Sequence, residues 1–390
     1  MTPRCLSITV FLLICSFTTL QAGQNASLIY SSSSHRGLSL PALILVNLEH
    51  PDFIELPVVL TSDNKLLVYD ARVLQLYTNV AEIFPQRQRD DGNFYVIDFT
   101  LAEIEQLSYS DLSPNTPTHD VPGHPTSLNN ALHILSKVST AAGTSFRPIL
   151  VIKYPWFHSR ENRDISRTLL DNLPERFRGA DTTLYLKCFD PDELQRIANT
   201  LQKEFAGEME LIQGIDYQDG GETNRWKRGE WVSYNDEWFF TRIGLRVAAG
   251  YADALALADI HRVDASTLHR FLEDSHSLDL SVFLSVPKDT FGTTTGTRST
   301  IADDAVASHD TSIFELGADG FLHSEVKKLR CSLTTQQQST VILPLQKLQS
   351  GQLAPLEHGS ASNVKKDHKD GTSALLSSPA TLREKLQNMQ

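Results

Sequence analysis

The chain is short of cysteine, of positive charge and of long apolar runs, and each shortage excludes something. Only four cysteines occur in 390 residues. Cys5 and Cys15 fall in the first apolar stretch, which leaves Cys188 and Cys331, and two cysteines cannot make a disulfide framework. An oxidising compartment permits their pairing, and two free thiols fit equally well. The formal net charge is −12. That argues against nucleic acid as the main partner, because phosphate backbones select basic surfaces. Past the N-terminus no stretch approaches the roughly 20 apolar residues a membrane span needs. From Cys331 to Gln390 there is no Phe, Trp or Tyr. A tail of that kind buries little surface and reads as low-complexity and disordered, with one short helix at 381–387.

What is present is ordinary for a folded protein. Hydrophobic residues make up 41% and charged residues 21%, enough for one large domain or two smaller ones. Arg4, the apolar run Leu6 to Phe17 and the small residues of Leu20-Gln-Ala-Gly23 read as a signal peptide over residues 1–23. Export, to a periplasm or out of the cell, is the expectation.

Short apolar strands alternate with helical segments up to about residue 330. Strands are expected at Phe53–Leu60, Leu66–Tyr69, Phe94–Asp98, Arg147–Lys153, Thr183–Leu186, Met209–Ile215, around Ala252–Leu257, Leu278–Val286 and Gly320–Leu322. Helix starts are marked by chemistry. Thr100 and Glu103 form a capping box. Thr126 or Ser127 precedes an apolar stripe of Leu128, Ala131, Leu132 and Leu135. Asp190-Pro191-Asp192-Glu193 puts a cap, a proline and two acids at a helix start. Further helices are expected at Leu40–Leu48, Thr241–Gly250, Ser266–Ser275 and Ser308–Leu316. The alternation favours a parallel α/β sheet, and about eight units favour a closed (β/α)8 TIM barrel.

The stretch from Ser34 to Asp70 concentrates the chemistry. It carries His35-Arg36-Gly37, then Glu55 in one apolar strand and Asp70 at the end of the next. If those strands are parallel neighbours, His35, Arg36, Glu55 and Asp70 converge at one end of the sheet, where α/β folds keep their sites. A cation, an imidazole and carboxylates round one cleft suit metal-assisted chemistry on a phosphate. Lys153 closes another strand and pairs with Glu55 or Asp70. His119, His124 and His158 read as loop histidines at the surface, and Asp216 and Asp219 as loop acids. Trp226, Trp231 and Trp238 either pack the Asp216–Phe240 insertion or line a cage for a choline-type cation.

Several motifs in fixed order carry a resemblance. They are His35-Arg36-Gly37, TNVAEIFPQRQRDDGNFYVIDFTLAEIEQL (78–107), IKYPWFH (152–158), LYLKCFDPDELQRI (184–197), WVSYNDEWFF (231–240) and YADALAL (251–257). Over roughly residues 30–330 the chain resembles the periplasmic glycerophosphodiester phosphodiesterases, which are (β/α)8 barrels. The resemblance implies hydrolysis of glycerophosphodiesters to sn-glycerol 3-phosphate and an alcohol. It implies a divalent ion, commonly Ca2+, and an Arg on the phosphate, with two histidines acting as general acid and base or one of them as nucleophile. His35 and Arg36 then stand for the first catalytic His and the phosphate-binding Arg, Lys153 for the phosphate-side Lys, and Glu55 for one metal acid.

The same resemblance marks substitutions. Pro57 stands where a second metal acid is expected, Val151 where a third is expected, and Asp70 where the second His is expected. His323-Ser324 replaces a Thr-Asp pair. One carboxylate is a poor site for calcium, which takes six to eight oxygens. Two readings follow. One is an enzyme with an altered site built on His35, Arg36, Glu55, Asp70 and Lys153. The other is a catalytically impaired relative that binds a glycerophosphodiester, another small phosphate ligand or a protein at the same place.

Overall fold

A computed structural model describes residues 26–330 apart from 32–37, 110–122, 217–223, 228–229, 234–235, 259, 261–262, 287–315, 325 and 328. The expected signal peptide, His35, Arg36, His119, Asp219, the helix at Ser308–Leu316 up to its last residue, Cys331 and the tail therefore lie outside the described residues.

The strands are β1 (Ser27–Tyr30), β2 (Phe53–Leu60), β3 (Leu66–Val68), β4 (Thr126–Ser127), β5 (Pro148–Ile152), β6 (Thr183–Cys188), β7 (Glu208–Asp216), β8 (Asn224–Lys227), β9 (Glu230–Ser233), β10 (Ala254–Ala258), β11 (Ser281–Ser285) and β12 (Gly320–His323). Among the described residues, β1, β2, β5, β6, β7, β10, β11 and β12 pair in parallel one to the next. β12 pairs back onto β1 and closes the ring. This is the TIM barrel the alternation of elements predicts.

Strand periodicity sorts the side chains. Ile29, Phe53, Ile149, Val151, Ile212, Ala254, Ala256 and Leu322 fill the barrel. Their neighbours Leu28, Ile54, Leu56, Leu150, Leu186 and Leu255 pack outward in a larger core with the helices. Those helices begin where the cap chemistry places them. Ser127 caps Leu128–Ala142, with Gly143 at φ 68° ending it. Asp190 accepts from the backbone of Asp192 and Glu193 at the start of Pro191–Arg196. Thr100 and Glu103 form the reciprocal capping box. Among the described residues no helix is long and apolar enough to cross a membrane.

Two expectations are corrected. The strands carrying Glu55 and Asp70 are neighbours, but β3 runs antiparallel to β2, pairing Val58 with Val68 and Leu60 with Leu66. The turn between them is short. Asn64 takes φ 55°, and Thr61 bridges Asp63 and the Lys65 backbone. A parallel return needs a crossover of a dozen or more residues, which is absent. Phe94–Asp98 is not a barrel strand. It makes one bridge, Tyr95 to Val73, and then a single 3-10 turn, Val96–Asp98.

Candidate functional site

A cleft of about 120 Å³ opens at the C-terminal end of the barrel strands, lined in part by Glu55, Pro57, Asp70, Val151, Lys153 and Lys187. Ser31 and Leu38, the described residues flanking 32–37, line it as well.

The register explains the lining. Pro57 of β2 lies opposite Val151 of β5, and Val151 lies opposite Lys187 of β6. All three face inward. Among the described residues β1 pairs with β2 at Phe53 and Ile54 alone, so Pro57 sits above the last rung described between them, where a missing N–H costs little. The Pro57 carbonyl still accepts from Tyr69 N at 2.9 Å. That contact brings the antiparallel β3 back to the mouth and delivers Asp70 there. Asp70 therefore reaches the cleft through a hairpin, not through a parallel strand.

Two ion pairs occupy the mouth. Lys187 Nζ donates to Glu55 Oε1 at 2.7 Å, with both side chains only 8% exposed. Lys153 Nζ lies 2.6 Å from Asp70 Oδ1, which decides between the two partners open to Lys153. Phe189 sits against both ammonium groups, its ring centroid 5.3 Å from Lys153 Nζ and 5.2 Å from Lys187 Nζ. Gly214 makes room for that ring, since a Cβ there would lie 2.8 Å from it. Tyr154, the residue after Lys153, takes φ 49°, a left-handed conformation that costs an L-residue about 1–2 kcal/mol. It turns the chain into the helix Pro155–Arg160 and lays its ring 5.2 Å from Lys153 Nζ.

Lys187 and Phe189 fall within the LYLKCFDPDELQRI motif, but the motif-based reading assigns them no role. The signal for them is a lysine inside LYLKCFD, a charge in an otherwise buried strand that has to find an acid.

A calcium site does not fit these residues. Pro57 and Val151 offer no side-chain oxygen, Glu55 is held by Lys187 and Asp70 by Lys153. Among the described residues no group of three His, Cys, Asp or Glu side chains is disposed to hold a metal.

A second set of acids lies on the β6–β7 side. Asp236 accepts from Asp216 N at 2.9 Å. Burial, with Asp216 and Asp190 adding to it, pushes the Asp236 carboxyl up to about 7. Asp190 is raised to about 6, again by burial. Asp216 ends β7 and so is a strand residue, not a loop acid.

His158 is a correction. It is 2% exposed, and burial, with the Arg163 charge, lowers it to about 3. Neither ring nitrogen has a hydrogen-bond partner among the described residues. The PWFH motif forms a packed turn: Arg72 lies 5.1 Å from the Trp156 ring and 5.7 Å from that of Phe157. His124 is exposed, as expected. Trp238 packs on Phe239 at 4.5 Å, a structural contact. The side chains of Trp226 and Trp231 lie outside the described residues. Cys188 is buried and unpaired, its thiol pushed well up by burial.

The sequence profile of the glycerophosphoryl diester phosphodiesterase family matches residues 31–235, more than half of the chain. The chain belongs to this family. It is 33% identical over 226 residues to the glycerophosphodiester phosphodiesterase of Treponema pallidum (strain Nichols), covering 54% of this chain and 64% of that protein. It is 30% identical over 243 residues to the glycerophosphodiester phosphodiesterase of Haemophilus influenzae, covering 57% and 67%. The chain thus spans just under two thirds of the first relative's length. Among solved structures, one from Silicibacter pomeroyi DSS-3, named for glycerophosphoryl diester phosphodiesterase, matches with a TM-score of 0.52 at 14% identity, over 80% of this chain and 95% of that one. That likeness concerns the fold alone, and it agrees with the closed TIM barrel described above.

Proposed function

We propose that the protein binds glycerophosphodiesters, or a small phosphate ester of the same kind, at the barrel mouth and has lost most of the metal-dependent hydrolysis that defines its family. Arg36 and Lys153 hold the phosphate in this reading. His35 is the remaining family imidazole. The observation that supports it is the in-register row Pro57–Val151–Lys187. Two positions that the family resemblance assigns to metal carboxylates carry an imino ring and an isopropyl group. The neighbouring Glu55 already has a cation 2.7 Å away. Removing a general acid or base costs about 10²–10⁴ in rate, and loss of the ion removes transition-state charge stabilisation as well.

A second reading rests on Asp70, which lies in the cleft beside Lys153 with 35% of its side chain exposed. It makes Asp70 the base of an altered hydrolase. One assay separates the two. The full chain is incubated with glycerophosphocholine, and released glycerol 3-phosphate is measured with calcium and then with chelator, while retention of the diester is followed by equilibrium dialysis. Retention without chelator-sensitive release is the expected result. Chelator-sensitive turnover that disappears in His35→Ala would overturn it. Metal-independent turnover lost in Asp70→Asn would establish the second reading.

A further inference from the structure

Lys187 lines the cleft from within the LYLKCFDPDELQRI stretch, and the motif-based reading gives it no role. It stands on β6 directly across from Val151, and its ammonium reaches over to the Glu55 carboxylate on β2. A buried carboxylate needs a counter-charge, and here a covalently attached one is provided. Among the described residues Glu55 is its only hydrogen-bond or ion-pair partner. An ammonium carries three N–H donors, so two remain. The Phe189 face 5.2 Å away contributes attraction without taking a donor. The second ammonium, Lys153, touches the same ring.

We infer that Lys187 is a resident cation. It stands in for a divalent ion as the positive charge at the barrel mouth, so the site takes a phosphate group as a metal-independent anion receptor built on Lys187 and Lys153. The phosphate oxygens accept from the free Lys187 N–H groups while Glu55 keeps the ammonium in place. The inference rests on the proposed phosphate-ester reading, but it makes a separate claim: affinity comes from side-chain nitrogen, with no ion required. Low exposure strengthens it, because a charge-assisted hydrogen bond gains when water is excluded.

The test is calorimetry of sn-glycerol 3-phosphate with the full chain, in calcium and in chelator. Equal dissociation constants in the two buffers are expected. Lys187→Gln is expected to weaken binding at least about tenfold, the loss of one charge-assisted hydrogen bond. That variant also strands Glu55, so the double variant Glu55→Gln/Lys187→Gln is measured beside it. It replaces the ion pair by two neutral amides and removes the same ammonium. If Lys187 is only structural, the double variant recovers binding; a resident cation predicts that binding stays weak while the thermal melt recovers. Binding lost in chelator, or a Lys187→Gln chain that binds like the parent, overturns the inference. If neither variant folds, the chelator comparison on the unaltered chain still decides. Glycerophosphocholine titrated in parallel separates this claim from the one it rests on. Glycerol 3-phosphate bound without metal while the diester is refused removes the diester reading and leaves Lys187 as proposed. The diester bound only in calcium does the reverse.

Discussion

Two sets of carboxylates lie at the C-terminal ends of the barrel strands, and their charge is handled by different means. On the β2–β5–β6 side, Glu55 and Asp70 each face a lysine, at 2.7 and 2.6 Å. On the β6–β7 side, Asp190, Asp216 and Asp236 face one another, and burial pushes Asp236 up to about 7 and Asp190 to about 6. The first set pairs each acid with a lysine that lines the cleft. In the second, burial raises Asp190 and Asp236 towards the protonated form, and their oxygens serve the backbone: Asp190 caps a helix and Asp236 holds the end of β7. Two clusters of the same residue type therefore serve different ends, and the presence of a lysine across the strand decides which.

The contrast is broken most forcefully at Lys187. Lys187→Met leaves Glu55 buried without a cation and is expected to cost about 3–5 kcal/mol, read as a lowered midpoint in urea. A loss below about 1 kcal/mol would mean that the pair is solvated and the two sets are alike.

The acid set is sharpened by Asp236→Asn. The folded carboxyl titrates near 7 against an ordinary 3.8. Between those values the folded state keeps a proton that the unfolded state releases, so stability falls as pH rises across that window, and the whole cost is present above 7. An amide does not pay it and still accepts from Asp216 N. The variant is expected to be more stable by about 2 kcal/mol at pH 8 and unchanged at pH 4, checked by thermal melts at both.

His158 shows a third device, burial in the uncharged form. Its folded value of about 3 lies below the ordinary 6.5. Its contribution is intact above pH 6.5 and drains away as pH falls towards 3, because the unfolded chain gains the proton first. His158→Leu is expected to add up to about 1 kcal/mol at pH 7.5 and to flatten the acid limb of the stability curve. An unchanged acid limb would place the sensitive group elsewhere. The smallest effect belongs to Asp70, whose side chain is 35% exposed. Asp70→Asn is expected to change stability by less than about 1 kcal/mol in the same urea titration.

Much of the scaffold was legible in the sequence because it is local. Caps at Ser127, Asp190 and Thr100 mark helix starts from a few residues each, and apolar runs such as PILVI can only be buried strands. The direction of β3 was misjudged as parallel, although the short connection from Leu60 to Leu66 leaves no room for a crossover. The 3-10 turn at Val96–Asp98 was not legible, because FYVID has strand composition and only the surrounding Leu74, Phe99 and Tyr69 side chains decide its shape. His158 follows the same pattern: Phe157 beside it packs against Tyr95, 62 positions away in the chain, in an apolar cluster with Ile97 and Trp156, and no short window of sequence joins those residues. The ion pair of Glu55 with Lys187 spans 132 positions. Its partners are set by barrel register, so only a fold that fixes the neighbouring strands reveals that one charge answers the other.

The central claim is that a lysine has taken over the role of an ion in this family member. Titrating calcium into the full chain tests it most directly. The account predicts no heat of binding in the range of an oxygen-rich site, meaning nothing tighter than about 10⁻³ M. Stoichiometric calcium binding that vanishes in Glu55→Gln would contradict it.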